Sequence, residues 1–284
     1  MNAPGLLCAV VLVLSCPNVT AAEATEAAER PRIGLALSGG GARGSAHVGV
    51  LRALDELGVS VDYIAGTSMG SVIGALYAAG YSPDGIQQIL DAMDWDTAFS
   101  DRPERVYRTM RKKELEKDFL IPHRLGFNKV SLQLPLGAIE GQHLDQVLHR
   151  LLMPVANIRS FDDLDIPFRA VATDLVSGDE VVLAAGSLPN ALRASMSVPG
   201  VFSPVDIDGR LLVDGGMSNN LPVSVVRAMG AEIVIAVDIS APMLEREQLT
   251  SVLSVTEQLT NFLTRRSTDA QIASLGPKDI LIVP

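Results

Sequence analysis

Residues 61–80 read VDYIAGTSMGSVIGALYAAG, and this stretch decides the fold. Val61 to Ala65 form a short apolar run of strand length. Gly66 and Gly70 flank Ser68, and apolar and small residues then continue in a helical pattern until Gly80 ends it. Strand, sharp turn and helix in succession are the setting of a nucleophile elbow. The glycines let the chain turn tightly and keep side chains away from the serine. The helix N-terminus beyond it adds N–H donors and the positive end of a dipole. Taken alone, Gly-x-Ser-x-Gly also fits a plain strand-to-helix turn with Ser68 as N-cap.

Upstream, IGLAL (33–37) reads as a buried strand ended by SGGGARG. SAHVGVLRALDELG follows, with Val48, Leu51, Leu54 and Leu57 at helical spacing and Gly58 as the stop. The opening is therefore β-loop-α-β-turn-α, the grammar of a parallel sheet covered by helices. Downstream, Ser82 and Pro83 start a helix. Residues 95–130 are polar and irregular, and GQHLDQVLHRLLM is a helix. IPFRAVATDL and DEVVLAAG read as strands, SLPNALRASMSVPG as a helix and RLLVDGG as a strand ending in a turn. PVSVVRAMG is a helix, EIVIAVDI a strand, residues 247–273 a long helix and DILIVP a last strand.

The first residues, MNAPGLLCAVVLVLSCPNVTAAEATEAAER, hold an apolar core from Leu6 to Leu14 followed by small residues near Ala21 and Ala22. This reads as a secretory signal peptide, too short to span a bilayer, although no Lys or Arg precedes the core. The expected organisation is a signal peptide at 1–22, a linker at 23–30 and one domain at 31–284. The destination is then the periplasm, the outer membrane or the exterior. Cys16 is an alternative lipid-attachment site. Cys8 and Cys16 both lie in the leader, so the mature chain has no disulfide or thiol chemistry.

A net charge of −10 and a pI near 4.9 exclude a simple nucleic-acid footprint. Arg111, Lys112 and Lys113 are answered at once by Glu114 and Glu116. The same acidity disfavours electrostatic binding to anionic lipid, so contact with a membrane would have to be apolar, local and transient.

A serine nucleophile needs a base. The four histidines are His47, His123, His143 and His149, and none follows residue 149. The Ser, Asp/Glu, His order of an α/β-hydrolase is therefore missing its last member. His47 reads as a helix-packing or capping residue, and His143 and His149 as residues of an amphipathic helix. A carboxylate offers another base. In LLVDGG (211–216), Asp214 ends an apolar strand, where open α/β sheets place active-site groups, and Gly215 and Gly216 allow close approach. The bland alternative is an aspartate that starts a turn. The loop Gly39, Gly40, Gly41, Ala42, Arg43, Gly44 opens a helix and offers backbone N–H groups to an anion. A dinucleotide site would need an acidic residue at the end of the second strand, yet Asp62 stands at its beginning; no GK[ST] marks a P-loop. The remaining role is an oxyanion hole, where one donor is worth ~3 kcal/mol. Arg43 either orients the loop, meets a phosphate or is a plain surface residue.

The three motifs in this order, GGGARG, GTSMG and DGG, resemble the patatin-like phospholipase family. So do PFRAVATDLVSGDEVVL and LRASMSVPGVFSPV, and the likeness spans 31–284. The resemblance implies a three-layer α/β/α fold with a central, mostly parallel sheet. It implies a Ser68–Asp214 dyad, an oxyanion hole at 39–44, no cofactor or metal, and a phospholipid or other acyl-ester substrate. A leader directly before RPRIGLALSGGGARG is similar to secreted bacterial members, some of which are enzyme portions of autotransporters. A carboxylesterase or thioesterase for short chains, and a non-catalytic lipid-binding protein on the same fold, are the alternatives. Neither the oligomeric state nor the head group is legible.

Overall fold

The computed structural model describes residues 30–100, 110, 126–128, 131–133, 137–240 and 242–284. The expected leader, His123 and most of the irregular 95–130 stretch lie outside the described residues. The sheet is built from β1 (Ile33–Leu37), β2 (Tyr63–Thr67), β6 (Phe168–Asp174), β7 (Glu180–Leu183), β9 (Val205–Ile207), β10 (Arg210–Asp214), β11 (Ile233–Val237) and β12 (Ile280–Ile282). Their order is β12-β11-β1-β2-β6-β10-β9, with β7 also on β6. The pairings from β12 through β6 are parallel, whereas β7, β10 and β9 join antiparallel. Two small pairs stand apart: β3 (Gly126–Asn128) with β4 (Ser131–Gln133), and β5 (Gly137–Ile139) with β8 (Gly200–Phe202). Of these, β3 lies within the 95–130 stretch that reads as irregular in sequence.

Alternation along the strands makes the three layers. Leu35 and Leu37 of β1, Ile64 of β2, Phe168, Ala170 and Ala172 of β6, and Ile235 and Val237 of β11 face one core. Their neighbours Ala36, Ala65, Val171, Val234 and Ala236 face the other. The first core is covered by α1 (Ser45–Glu56), α2 (Met69–Ala78), α3 (Pro83–Ala92), α5 (Gln142–Leu151) and α6 (Leu188–Ser195). A short α4 (Trp95–Ala98) precedes α5, and Trp95 packs against that core. The second core is covered by α8 (Val223–Ala228), with Ile272 of α9 (Val252–Ala273) at its edge. Small strand residues on this side admit α8 closely; a Cβ on Gly34 would stand 2.1 Å from Val226 Cγ1. Between β10 and α8 lies the single turn α7 (Gly216–Asn219).

Two boundaries differ from the sequence reading for local reasons. β2 runs on through Gly66 and Thr67, because both pair with β6 at Ala170 and Val171. The long last helix starts at Val252, not 247, because the Ser251 side chain accepts the N–H of Ser254 and caps it there. Residues 246–248 form a separate 3₁₀ turn.

Candidate active site

The sheet register brings Ser68 and Asp214 together. Gly66 and Thr67 of β2 pair with Ala170 and Val171 of β6, while Val213 and Asp214 of β10 pair with Thr173 and Ala172. β7 pairs with Ala170 to Thr173 as well. A strand residue has one neighbour on each side, so β7 takes one edge of β6, and β2 and β10 share the other. β2 runs parallel to β6 and β10 antiparallel, so their C-terminal ends meet head to head beside Val171 and Ala172. Asp214 thus stands at the end of its own strand, as expected, but not at the carboxyl edge of a parallel sheet. It lies where two strands converge within the sheet.

Ser68 follows β2 at once. Its φ of 52° and ψ of −124° are backbone values that a residue with a Cβ rarely adopts. Such a conformation costs of order 1–3 kcal/mol and persists only where the surroundings enforce it. They do so here. The Ser68 N–H donates to Ser195 Oγ at 2.9 Å, and the Ser68 carbonyl accepts from Ser71 Oγ (2.6 Å) and Ser71 N (2.9 Å). Ser68 occupies the N-cap position of α2, but its side chain makes no cap bond there. The flanking glycines are required by contact: a Cβ on Gly70 would lie 2.4 Å from the Leu37 carbonyl, and one on Gly66 2.4 Å from the Gly70 carbonyl.

Asp214 is 6% exposed. Its Oδ1 accepts the Gly216 N–H at 2.7 Å, and the Ser68 side chain lies near enough to favour the ionised carboxylate. Its backbone is pinned from both sides: its N–H donates to the Ser197 carbonyl (2.9 Å) and its carbonyl accepts from Thr173 Oγ1 (2.9 Å). Burial raises its pKa from 3.8 to about 6, against the pull of the Ser68 and Gly216 donors. A Cβ on Gly215 would meet the Val171 carbonyl at 2.3 Å, so a side chain there would push the aspartate off β6.

The glycine loop lies against the serine. A Cβ on Gly39 would sit 3.0 Å from Ser68 Cβ and 2.7 Å from Asn220 Oδ1. The loop is tied down at four points. Gly39 N donates to the Asn220 carbonyl (3.2 Å), and Asn220 Nδ2 to the Gly39 carbonyl (3.4 Å). Arg43 Nη1 donates to the Ser240 carbonyl (2.9 Å), and His47 Nε2 bonds the Ser38 carbonyl (2.8 Å). Of the expected donors, the Gly39 N–H is thus engaged, and the Arg43 N–H bonds the Gly40 carbonyl (3.2 Å) within the 3₁₀ turn Gly41–Gly44. Among the described residues, the N–H groups of Gly40, Gly41 and Ala42 have no backbone acceptor. Arg43 orients the loop.

His47 is fully buried, and burial holds its pKa down near 4, so it is neutral and packs the loop against α1. His143 Nδ1 contacts the Ser100 carbonyl and the exposed His149 lies beside Asp145, so neither reaches Ser68. Two residues that the sequence reading does not single out hold the site. Ser195 receives the Ser68 N–H and donates to the Val171 carbonyl (2.5 Å). Asn220 joins Gly39 to Ser240 Oγ (2.9 Å) and Thr268 Oγ1 (3.2 Å). The available signal is a polar residue inside an otherwise apolar stretch, such as Ser195 in ALRASM, which implies a hydrogen-bonding duty once buried.

Fold and site together define an α/β protein whose sheet presents a strained serine to a buried carboxylate. The family model for patatin-like phospholipases matches residues 35–227, and the chain belongs to that family. It is 35% identical over 210 residues to an uncharacterized NTE family protein of Mycobacterium bovis, covering 74% of this chain and 49% of that one. It is 36% identical over 212 residues to patatin-like phospholipase domain-containing protein 6 of Homo sapiens, covering 74% and 13%. The chain thus spans half the length or less of these curated relatives. The solved structure of VipD from Legionella pneumophila aligns with a TM-score of 0.45 at 15% identity over 75% of this chain and 51% of that one.

Proposed function

We propose that the protein hydrolyses acyl esters of lipids, with Ser68 as nucleophile and Asp214 as its base. The observation that carries this is the convergence of β2 and β10 on β6, which sets a strained serine beside a buried carboxylate. Asp214 takes the hydroxyl proton as Ser68 Oγ attacks the ester carbonyl. The N–H groups of Gly40, Gly41 and Ala42, with the N-terminus of α2, face the oxygen that becomes negative. The tetrahedral adduct collapses, the Asp214 proton passes to the departing alcohol or lysolipid oxygen, and an acyl-serine remains. Water then gives a proton to Asp214, attacks the acyl carbon and releases the fatty acid, restoring the hydroxyl.

Membership of the patatin-like phospholipase family supports a lipid acyl ester as the substrate.

A fluorophosphonate probe tests the assignment. Wild-type protein is expected to be labelled, while Ser68→Ala is not. Ser68→Ala and Asp214→Asn should each lower kcat on nitrophenyl esters by at least about 10³ with circular dichroism unchanged. Ester turnover surviving in purified Ser68→Ala would exclude the mechanism.

A further inference from the structure

Helix α9 is turned inside out. A helix on a protein surface normally buries its apolar stripe and shows a polar face to water. Among the described residues, and apart from Ile272 at the edge of the second core, α9 meets the protein through polar side chains: Ser267 Oγ accepts the Asn220 N–H (3.2 Å), Thr268 Oγ1 accepts from Asn220 Nδ2 (3.2 Å), and Gln271 Oε1 accepts the Ser224 N–H (2.9 Å). On the opposite side, Val255, Leu259, Phe262 and Leu263 are 48%, 57%, 50% and 45% exposed. Their spacing of i, i+4, i+7 and i+8 makes one continuous stripe. Met243 and Leu249, both exposed, lie on the loop that Gln258 ties to α9 through the backbone of Leu244.

We infer that this outer face of α9 is the surface by which the protein sits on a phospholipid layer. The inference rests on the acyl-hydrolase reading above, since such a substrate is met at a lipid boundary. Three features favour lipid over a second copy of the chain. The inner face of α9 bonds Asn220, which holds Gly39 over Ser68, so the stripe lies on the helix that secures the site, ~10 Å across it and roughly 8–20 Å along its axis from those bonds. The stripe is continued at i+11 by the exposed Arg266, a cation placed for lipid phosphate, while Asp269 is engaged by Arg265 at 3.1 Å. A chain of net charge −10 also repels its own copy. Among the described residues no helix is long and apolar enough to cross a membrane, so α9 would lie in the interface with its apolar side chains roughly 5–10 Å deep.

Vesicle flotation with the full chain tests this. Using Ser68→Ala as the parent keeps the vesicles intact and separates binding from turnover. Phosphatidylcholine vesicles, alone and with phosphatidylglycerol, are expected to carry the parent. Leu259→Glu with Phe262→Glu should weaken that association at least about tenfold in either vesicle. The same pair placed in the active chain should leave hydrolysis of a water-soluble short-chain nitrophenyl ester within about twofold, which establishes that the site is still folded. Phe262→Trp should shift its emission to the blue when vesicles are added. Vesicle binding unchanged by the double glutamate variant overturns the proposal. So does a stable dimer in light scattering that the variant dissociates while the parent ignores vesicles, because a second copy then covers the stripe. Ester turnover by the Ser68→Ala parent would overturn the catalytic reading instead, and leaves the binding result standing.

Discussion

A carboxylate that is 6% exposed resists ionisation, and Asp214 titrates near 6 where an ordinary aspartate titrates at 3.8. The direction of its linkage to folding follows. The folded pKa lies above the unfolded one, so the contribution of Asp214 to stability is fully present below about pH 3.8 and is lost as pH rises through about 6. Its size is on the order of 3 kcal/mol. Asp214→Asn keeps an oxygen for the Gly216 N–H and has no charge to bury. Its stability relative to wild type should therefore rise between pH 4 and pH 7, as read from denaturant midpoints at each pH. Activity runs the other way. The base must be ionised, so kcat/KM is expected to climb with pH, with an apparent pKa near 6, and then level off. A flat profile from pH 5 to 8 would remove Asp214 from the proton transfer. Much of this pairing is legible in the sequence: Gly66 and Gly70 around Ser68, and Gly215 and Gly216 after Asp214, mark two close approaches of backbone. The energetic conflict at Asp214 is not legible, because burial depends on which strands lie beside it.

At the scale of elements, the end of α6 fastens the elbow to the sheet. Ser195 accepts the N–H of Ser68 and donates to the carbonyl of Val171, so one hydroxyl spans the β2–α2 turn and β6. Removing it leaves a buried donor and a buried acceptor without partners, at about 1–3 kcal/mol each. Ser195→Ala should lower kcat more than it raises KM and reduce the thermal midpoint, whereas Ser195→Thr should recover part of both. Loss of stability with kcat intact would reduce Ser195 to a packing residue. Short apolar runs and glycine stops locate β1, β2, β6, β10, β11 and α2 from sequence alone, because each is largely buried and its composition says so. β9, with three residues, and the pairing of β5 with β8 leave no such trace. Their hydrogen bonds come from partners far along the chain. α9 is legible as a helix but not as an inverted one, since a stripe of apolar residues says nothing about which side faces the protein.

At the scale of the whole molecule, Pro31–Pro284 form one compact unit. Its long-range order rests on β6, among the described residues the one strand with three partners. No spacing rule in the sequence places Ser68 beside Asp214; the hydrogen-bond register of β6 does. The ladder on that edge changes from parallel to antiparallel between Val171 and Ala172, and the serine and the carboxylate stand on opposite banks of the change. Nucleophile and base therefore belong to two blocks of the sheet, β12 to β2 and β10 with β9, joined within the sheet through a single common strand. A small slip of either block alters the spacing of the two groups before any strand is lost. The protein should then behave as its own strain gauge. Under rising denaturant, catalytic activity is expected to fall at lower concentrations than the far-ultraviolet circular dichroism signal. Superimposable curves would mean that the two blocks move only as one.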